Sequence, residues 1–393
     1  MEAPRERIDE EEPFFEIIST EEYKSKTIAE KDECPVEPIP EEWYEPEQVS
    51  SRTVKRNVTA YRFDAQQWLR AFKRVTEPSF VEEKGRHIRN RALHALRQII
   101  LYFTMRYVRL GAYPLFEEGK VVLLNRAFLL KQVARSRLYH SAPPFEQSLK
   151  GKYETKVTVF EGDCIKAALY LKTTGGLNPL VLNMANAHNP GGGYLNGDGA
   201  QEENLHRRTN YFQALEDPDR VYRDHRGWSY PIPPAGAIYS PNLLVFRGSE
   251  DEGYPLLSLP HLLSFIACAA VRKPRLLTNT NKERIEGPFR MDEDSEEEMR
   301  EKIETILSVG LEKGHNCVVL SAFGCGAFGC PPYQVAAMFK RALESERYRG
   351  CYKHVAFAIF NDHNANRMHN PEGNILPFAR VFGVEAQPIP SNL

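Results

Sequence analysis

The sequence predicts an α/β domain, a sheet covered on both faces by helices, with a helical extension in front of it. Three observations carry this. After Gly151, short β-branched runs alternate with helical stretches: TKVTVF then CIKAALYLK, PLVLNMAN then EENLHRRTNYFQAL, the rhythm of βα units. Several further strand candidates, AIYSPNLLVF, LLSFIACAA, NCVVLSAF and HVAFAIF, are apolar almost throughout, as strands buried on both faces must be. Ahead of them, from about residue 64 to 108, apolar residues recur at spacings of three and four (Trp68, Phe72, then Ile88, Leu93, Leu96, Ile99, Ile100, Phe103), which places amphipathic helices there. Helices are also expected at about 296–313, 334–344 and just before Phe382.

Charge divides the chain more sharply than its formal net of -2 over 393 residues implies. Residues 1–50 carry 17 Asp and Glu against 5 Lys and Arg, whereas residues 51–150 carry 7 against 20. The proline-spaced acidic start, EEEP then EPIPEEWYEPE, offers too little apolar surface to offset its ordering entropy, so most of residues 1–60 reads as a disordered leader, with folding back on the basic block as the alternative. Residues 61–150 read as a basic helical region and 151–393 as the α/β domain. Arg89, Arg91, Arg97, Arg106 and Arg109 form either a solvated helix face or a surface that attracts a polyanion by counterion release. The seven cysteines are scattered without a CxxC pair, so neither a disulfide framework nor a zinc site is expected. No apolar run reaches eighteen residues and the start is acidic, so a protein inside the cell, cytoplasmic or nuclear, is expected.

The chemistry is concentrated in VLNMANAHNPGGGYLNGDGAQEENLHRRT, which runs strand, loop, helix. Gly191, Gly192 and Gly193 remove every Cβ from that loop, so backbone N–H groups can approach a ligand closely and take positive φ. A second loop, Phe323 to Gly329 in SAFGCGAFGCPP, also follows an apolar strand and leads into a helix. Glycine loops after strands suit a diphosphate.

Glu202 and Glu203 open the helix that follows, after Gln201. One acidic residue there would complement the helix dipole, contributing about 0.3–1 kcal/mol at a surface. Two adjacent ones beside an anion loop repel each other and the ligand. Chemistry is a reason to keep such a pair: crowding and burial can hold one carboxyl as a proton donor beside a glycosidic bond.

The run NPGGGYLNGDGAQEE resembles the signature of poly(ADP-ribose) glycohydrolases, a GGG followed after a short spacer by QEE. Seven residues intervene here. LNMANAHNPGGG, IYSPNLLVFR and LSAFGCGAFGCPP resemble stretches of the microbial-type branch in the same order, and GDCI resembles the first ligand loop of macrodomains. The likeness covers about residues 151–382 and, more weakly, 88–140. It implies a macrodomain-like three-layer α/β/α domain with a mixed central sheet.

What the resemblance implies for single residues follows from the matched positions. Glu203 is the catalytic acid and Glu202 helps hold the ribose hydroxyls, with Gln201 bracing the loop. Gly191, Gly192 and Gly193 line the diphosphate, and Asn189 positions the distal ribose. Gly324, Gly326, Ala327, Phe328 and Gly329 close over the ligand, Phe328 as the ring against that ribose. Asp163 recognises the adenine amino group, although an N-cap role after the strand fits it equally. His188 and His206 receive no role. The implied activity is hydrolysis of ribose–ribose bonds in poly(ADP-ribose), without metal or cofactor, on ADP-ribosylated proteins as partners. A non-catalytic ADP-ribose-binding macrodomain and a mono(ADP-ribosyl) hydrolase remain alternatives, and the intact QEE favours the enzyme. Direct DNA or RNA binding rests on charge alone and is not expected, nor is a membrane partner.

Overall fold

A strand or helix forms where its sequence can satisfy the backbone and bury its apolar residues, and two separate regions of this chain do so, each around a core of its own. The computed structural model describes residues 13–26, 37–44, 51–279, 287–361 and 364–390. One compact unit comprises Met1–Arg135, Pro190–His225 and Asn242–Leu262; the other comprises Ser136–Asn189, Arg226–Pro241 and Leu263–Leu393.

The first unit is built on the helices expected from the three-and-four spacing. Ala65–Thr76 starts at Asp64, whose carboxylate accepts the Gln67 N–H at 2.9 Å. Pro78–Lys84 carries proline in its first turn, and Arg86–Leu110 runs 25 residues before Gly111 ends it in the left-handed region. Trp68, Leu93, Leu96, Ile99, Ile100 and Phe103 are buried together. The Trp68 indole donates to the Leu96 carbonyl at 2.8 Å, which ties the first helix to the third.

The described part of the acidic leader folds back on the basic block, the alternative to disorder. Phe15–Ser19 pairs antiparallel with Lys120–Leu124, which also pairs with Ala112–Leu115. Ile39, Trp43 and Tyr44 are buried in the helical core. The local runs FEIIS and EEWY supply apolar and aromatic anchors that an average over fifty residues conceals. Residues 1–12, 27–36 and 45–50 of the leader lie outside the described residues.

The second unit holds an eight-stranded mixed sheet in the order Ala386–Pro388, Lys156–Glu161, His354–Ile359, Cys317–Leu320, Pro179–Met184, Leu256–Cys268, Ala237–Arg247, Arg137–Tyr139. The pairs from Ala386–Pro388 through Leu256–Cys268 are parallel, and Arg137–Tyr139 is antiparallel to Ala237–Arg247. Side chains alternate across it. Val355, Phe357, Val318 and Leu320 join one core with residues of the helices Glu293–Glu312, Pro332–Glu344 and Ile375–Phe382. Phe357 sits 5.5, 5.0 and 4.9 Å from the rings of Phe339, Phe378 and Phe382. Cys164–Thr173 packs on the other face. The three-layer α/β/α order is therefore present.

The boundaries expected at residues 60 and 150 differ from these units. Arg137–Tyr139 joins the sheet, while residues 190–225 and 242–262 group with the helical region. A linear reading sees composition change along the chain; it does not see which distant helix buries a loop. The six cysteines among the described residues that have a free thiol are all buried.

His315 and His354 lie inside the second unit, and burial lowers each pKa to about 4. His315 bridges the Asn178 carbonyl at 3.1 Å and the Tyr239 hydroxyl at 3.0 Å. Because the folded pKa lies below the unfolded value of about 6.5, the unfolded chain takes up these protons first. The stability they contribute is complete above pH of about 6.5 and is lost as pH falls toward about 4. We expect the urea midpoint to fall between pH 7.5 and pH 5, and to fall less in His315→Gln; equal slopes for the two proteins would refute the assignment.

Candidate active site

The acidic pair is held by the glycine loop itself. The helix Gln201–Arg208 begins after Ala200, which supplies no side-chain cap, so its first turn needs other partners. Instead the two glutamates reach back over the loop: Glu202 Oε1 accepts the Gly191 N–H at 3.1 Å, and Glu203 Oε1 accepts the Gly193 N–H at 2.9 Å. Both side chains are buried, Glu202 at 3% and Glu203 at 7% exposure. Bonds from backbone N–H to a carboxylate contribute about 1.5–3 kcal/mol each, more than neutral pairs do. They offset the cost of placing two acids together out of water.

This geometry also explains three successive glycines. A Cβ on Gly192 would lie 2.4 Å from Glu203 Oε1 and 3.0 Å from Glu202 Oε2. One on Gly191 would meet Tyr194 at 2.7 Å and His206 at 2.8 Å, and one on Gly193 would meet Asp198 at 1.9 Å. Gly191 and Gly192 also have φ of +75° and +59°. The sequence reading gave these N–H groups to a diphosphate. In the structure two of the three are bonded to the acids, because the carboxylates come back to within contact of the loop.

Glu203 differs from its neighbour in one respect. Its Oε2 is buried with no hydrogen-bond partner among the described residues. One oxygen is thus anchored by Gly193 and the other is left for a proton or a substrate atom.

A polar network supports the helix. Thr104 donates to the Arg207 carbonyl at 2.6 Å and accepts from Arg247 Nε at 2.9 Å. Arg207 Nε donates to the Tyr254 hydroxyl at 2.8 Å, and its Nη1 to the Asp198 carbonyl at 2.7 Å. Tyr254 in turn donates to Glu250 at 2.5 Å, and Arg97 forks onto the same carboxylate at 3.2 and 2.8 Å. Burial lowers the Arg247 pKa to about 10. Burial also works against ionising Glu250, but the Arg97 fork, then Arg207 and Tyr254, hold its carboxyl below the usual range.

His206 is fully buried between the rings of Tyr194 at 4.8 Å and Tyr211 at 5.1 Å. Its Nδ1 donates to the Glu202 carbonyl at 2.8 Å, and burial lowers its pKa to about 4. It is a neutral packing residue. Tyr194 donates to Glu216, and burial is the main reason its hydroxyl pKa is raised.

The structure brings together Gly191, Gly192, Gly193, Glu202 and Glu203, with Gln201 half-buried at the helix start. The remaining predicted residues belong to the second unit. Asp163 caps the helix Cys164–Thr173, accepting the Lys166 N–H at 2.8 Å, so the N-cap reading is realised. Asn189 is exposed, and its N–H donates to Asn186 Oδ1 at 3.0 Å. The loop of Gly324, Gly326, Ala327, Phe328 and Gly329 closes with the Cys330 N–H on the Gly324 carbonyl at 3.0 Å. Gly324 and Gly329 take positive φ, and Phe328 is partly buried against the core. His369 and Asn370 both donate to the Cys325 carbonyl, at 2.9 and 3.3 Å. Sequence reasoning missed these two braces and missed Glu250, Tyr254, Arg207 and Arg247. Their decisive partners, Arg97 for Glu250, Thr104 for Arg247, Arg207 for Tyr254 and Cys325 for His369 and Asn370, lie more than forty residues away, and no local spacing signals them.

Two arginines of the basic block are paired. Arg97 is bonded to Glu250 and Arg109 to Asp219 at 2.8 Å, so neither belongs to a purely solvated face.

A glycine loop wrapped over a buried glutamate pair, in a chain with a three-layer mixed sheet, defines a hydrolase-type site of the macrodomain class. Residues 103–248 match the family described as microbial-type PARG, catalytic domain, where PARG is poly(ADP-ribose) glycohydrolase. Over those residues the chain is thus similar to a microbial-type PARG catalytic domain. It is similar to the crystal structure of a poly(ADP-ribose) glycohydrolase from Thermomonospora curvata bound to the inhibitor ADP-HPD. The identity is 29% over 72% of this chain and 98% of that one, with a TM-score of 0.55. A second structure of the same enzyme is 28% identical over 73% of this chain and 99% of that one, also at 0.55. Comparison with curated proteins yields no match.

Because Gly192 is set by contact with both acids, Gly192→Ala is expected to lower stability by about 1–3 kcal/mol, from strain at positive φ and from displacing Glu203. Chemical denaturation measures this, and an unchanged midpoint would show that the loop does not hold the dyad as described.

Proposed function

We propose that this protein hydrolyses the ribose–ribose O-glycosidic bond of poly(ADP-ribose), releasing ADP-ribose, with Glu203 as general acid and then general base. The observation that carries the reading is the asymmetry of the Glu203 carboxyl: Oε1 is fixed by the Gly193 N–H and the buried Oε2 has no partner. A carboxyl held by one oxygen keeps its position while the other exchanges a proton.

In the proposed reaction, Glu203 Oε2 donates its proton to the departing ribose oxygen. Positive charge develops on the distal ribose, as in other glycoside hydrolyses. The carboxylate then accepts a proton from the attacking water, which restores the starting state. Glu202, anchored through the Gly191 N–H, holds ribose hydroxyls. Gln201, Asn189 and Asp163 keep the loop, ribose and adenine roles that the family motif implies. The lining roles of residues 191–193 and of 324–329 are what the family motif implies; in the first loop the Gly191 and Gly193 N–H groups bond the acids. The two Thermomonospora structures, one with an inhibitor bound, support this reading through the shared fold. The location within a cell remains part of the proposal and rests on composition.

Glu203→Gln keeps the shape and the Gly193 bond but cannot donate a proton. Turnover of automodified poly(ADP-ribose) polymerase, read as free ADP-ribose, is expected to fall at least about 100-fold, with ADP-ribose affinity within about tenfold of wild type. Turnover above a tenth of wild type would remove Glu203 as the acid. A wild-type protein that binds ADP-ribose and releases none from polymer would instead be the non-catalytic binding module.

A further inference from the structure

Beyond the helix that bears the acids and the short helix Tyr211–Leu215, residues 216–225 run over the surface of the same unit. Seven of the eight residues from 218 to 225 are exposed, and so exposed a segment ordinarily has too few contacts to keep one shape. This one is held at three points. Tyr194, the residue after Gly193, donates to Glu216. Arg109 forks onto Asp219, at 2.8 Å to each oxygen. Between these anchors the carboxylate of Asp217, only 1% exposed, accepts the N–H groups of Val221 at 3.1 Å, Tyr222 at 2.6 Å and Arg223 at 2.8 Å. Asp217 and Arg220 take φ of +48° and +54°, a conformation that a residue with a Cβ adopts where its surroundings impose it.

What this loop holds out is positive charge. Arg220 and Arg223 are exposed, and no carboxylate among the described residues pairs with either guanidinium. His225 follows them, and exposed Asp224 is the acid that opposes them. Arg106, one helical turn before Arg109, has its Nη1 buried with no acceptor among the described residues. Arg97 and Arg109 are committed to carboxylates; these three arginines are not. Free guanidiniums on an ordered loop suit a partner with repeated phosphates, whose oxygens accept the forked pair of N–H bonds that a guanidinium offers.

We infer that residues 219–225, with Arg106 beside them, form a contact surface for the body of poly(ADP-ribose), holding diphosphates of units beyond the one at the acids. The inference rests on the proposed polymer substrate. The link to the site is short: Gly193 donates to Glu203, and its neighbour Tyr194 bonds Glu216 at the start of the loop. A chain of ADP-ribose units with one end at Glu203 therefore meets this loop with its following units. A single ADP-ribose occupies the site alone and gains nothing from the loop.

The test measures binding to the full chain carrying Glu203→Gln, which spares the polymer, with a labelled long poly(ADP-ribose) and with ADP-ribose at rising salt. Each phosphate contact adds about 0.7 to the slope of log affinity against log salt for a single-stranded polyanion. Arg220→Gln with Arg223→Gln is expected to lower the polymer slope by about 1.4, with ADP-ribose affinity changed less than about twofold. Arg220→Lys with Arg223→Lys keeps the slope of the parent. Lys55→Gln with Arg56→Gln, the same charge loss on the helix Ser51–Asn57, also leaves it near the parent. An unchanged slope in the Arg220 and Arg223 glutamine pair, or an equal fall in the Lys55 and Arg56 control, overturns the assignment. Single-stranded DNA of matched charge that binds as tightly as the polymer also overturns it, and marks a nucleic-acid surface instead. If the protein with Glu203 intact cleaves no polymer, the proposed hydrolysis fails, and the salt slopes still decide the role of the loop.

Discussion

Two carboxylates buried side by side are an unstable arrangement unless something donates to them, and in this protein the donors are the N–H groups of a glycine loop ten and eleven residues upstream. That constraint shapes much of the first unit. A Cβ at any of the three loop positions would press on the acids or their neighbours. The helix bearing the acids is short, eight residues, and has no side-chain cap at its start. Its position is instead fixed from behind by Thr104, Arg247, Tyr254 and Arg207. A short helix gains little from its own hydrogen bonds, so its place depends on these tertiary partners.

The helical region is therefore part of the site's construction and not an appendage to a sheet domain. Arg86–Leu110 contributes Thr104 to the support of the helix bearing the acids and His94, Arg97 and Gln98 to the loop before it. The family match begins at residue 103, inside this helix, and ends at 248. It thus spans the glycine loop, the acids, Thr104, Arg207 and Arg247, and leaves out Arg97, Glu250 and Tyr254. The second unit solves a separate problem: its strands are apolar on both faces and are covered by helices on both, which leaves the loops after strands to carry polar groups.

Charge is organised by pairing and burial more than by block averages. The 51–150 region is strongly basic in sequence, yet Arg97 and Arg109 are each committed to a carboxylate from far along the chain. The acidic leader is likewise not uniform: Phe15–Ser19 adds a strand to a small sheet, and Trp43 and Tyr44 enter a core. Averages over fifty or a hundred residues describe solvation, whereas folding responds to a few well-placed apolar side chains.

What the sequence determined by itself was the local chemistry. Spacing of apolar residues placed helices between about residues 64 and 108, where Ala65–Thr76 and Arg86–Leu110 lie, and β-branched or apolar runs placed strands that the structure sets at 156–161, 179–184, 237–247, 317–320 and 354–359. GGG and QEE were legible because glycine and paired acids are locally abnormal, and an abnormal local choice needs a reason. The tertiary structure alone decided which groups answer that need. Gly191 and Gly193 turn to the acids, Arg97 meets Glu250 across 153 residues, and residues 190–225 join the helical unit and not the sheet unit. Such pairings depend on where the chain returns in space, which periodicity along it does not encode: a helix pattern states that one face will be buried, but not against what.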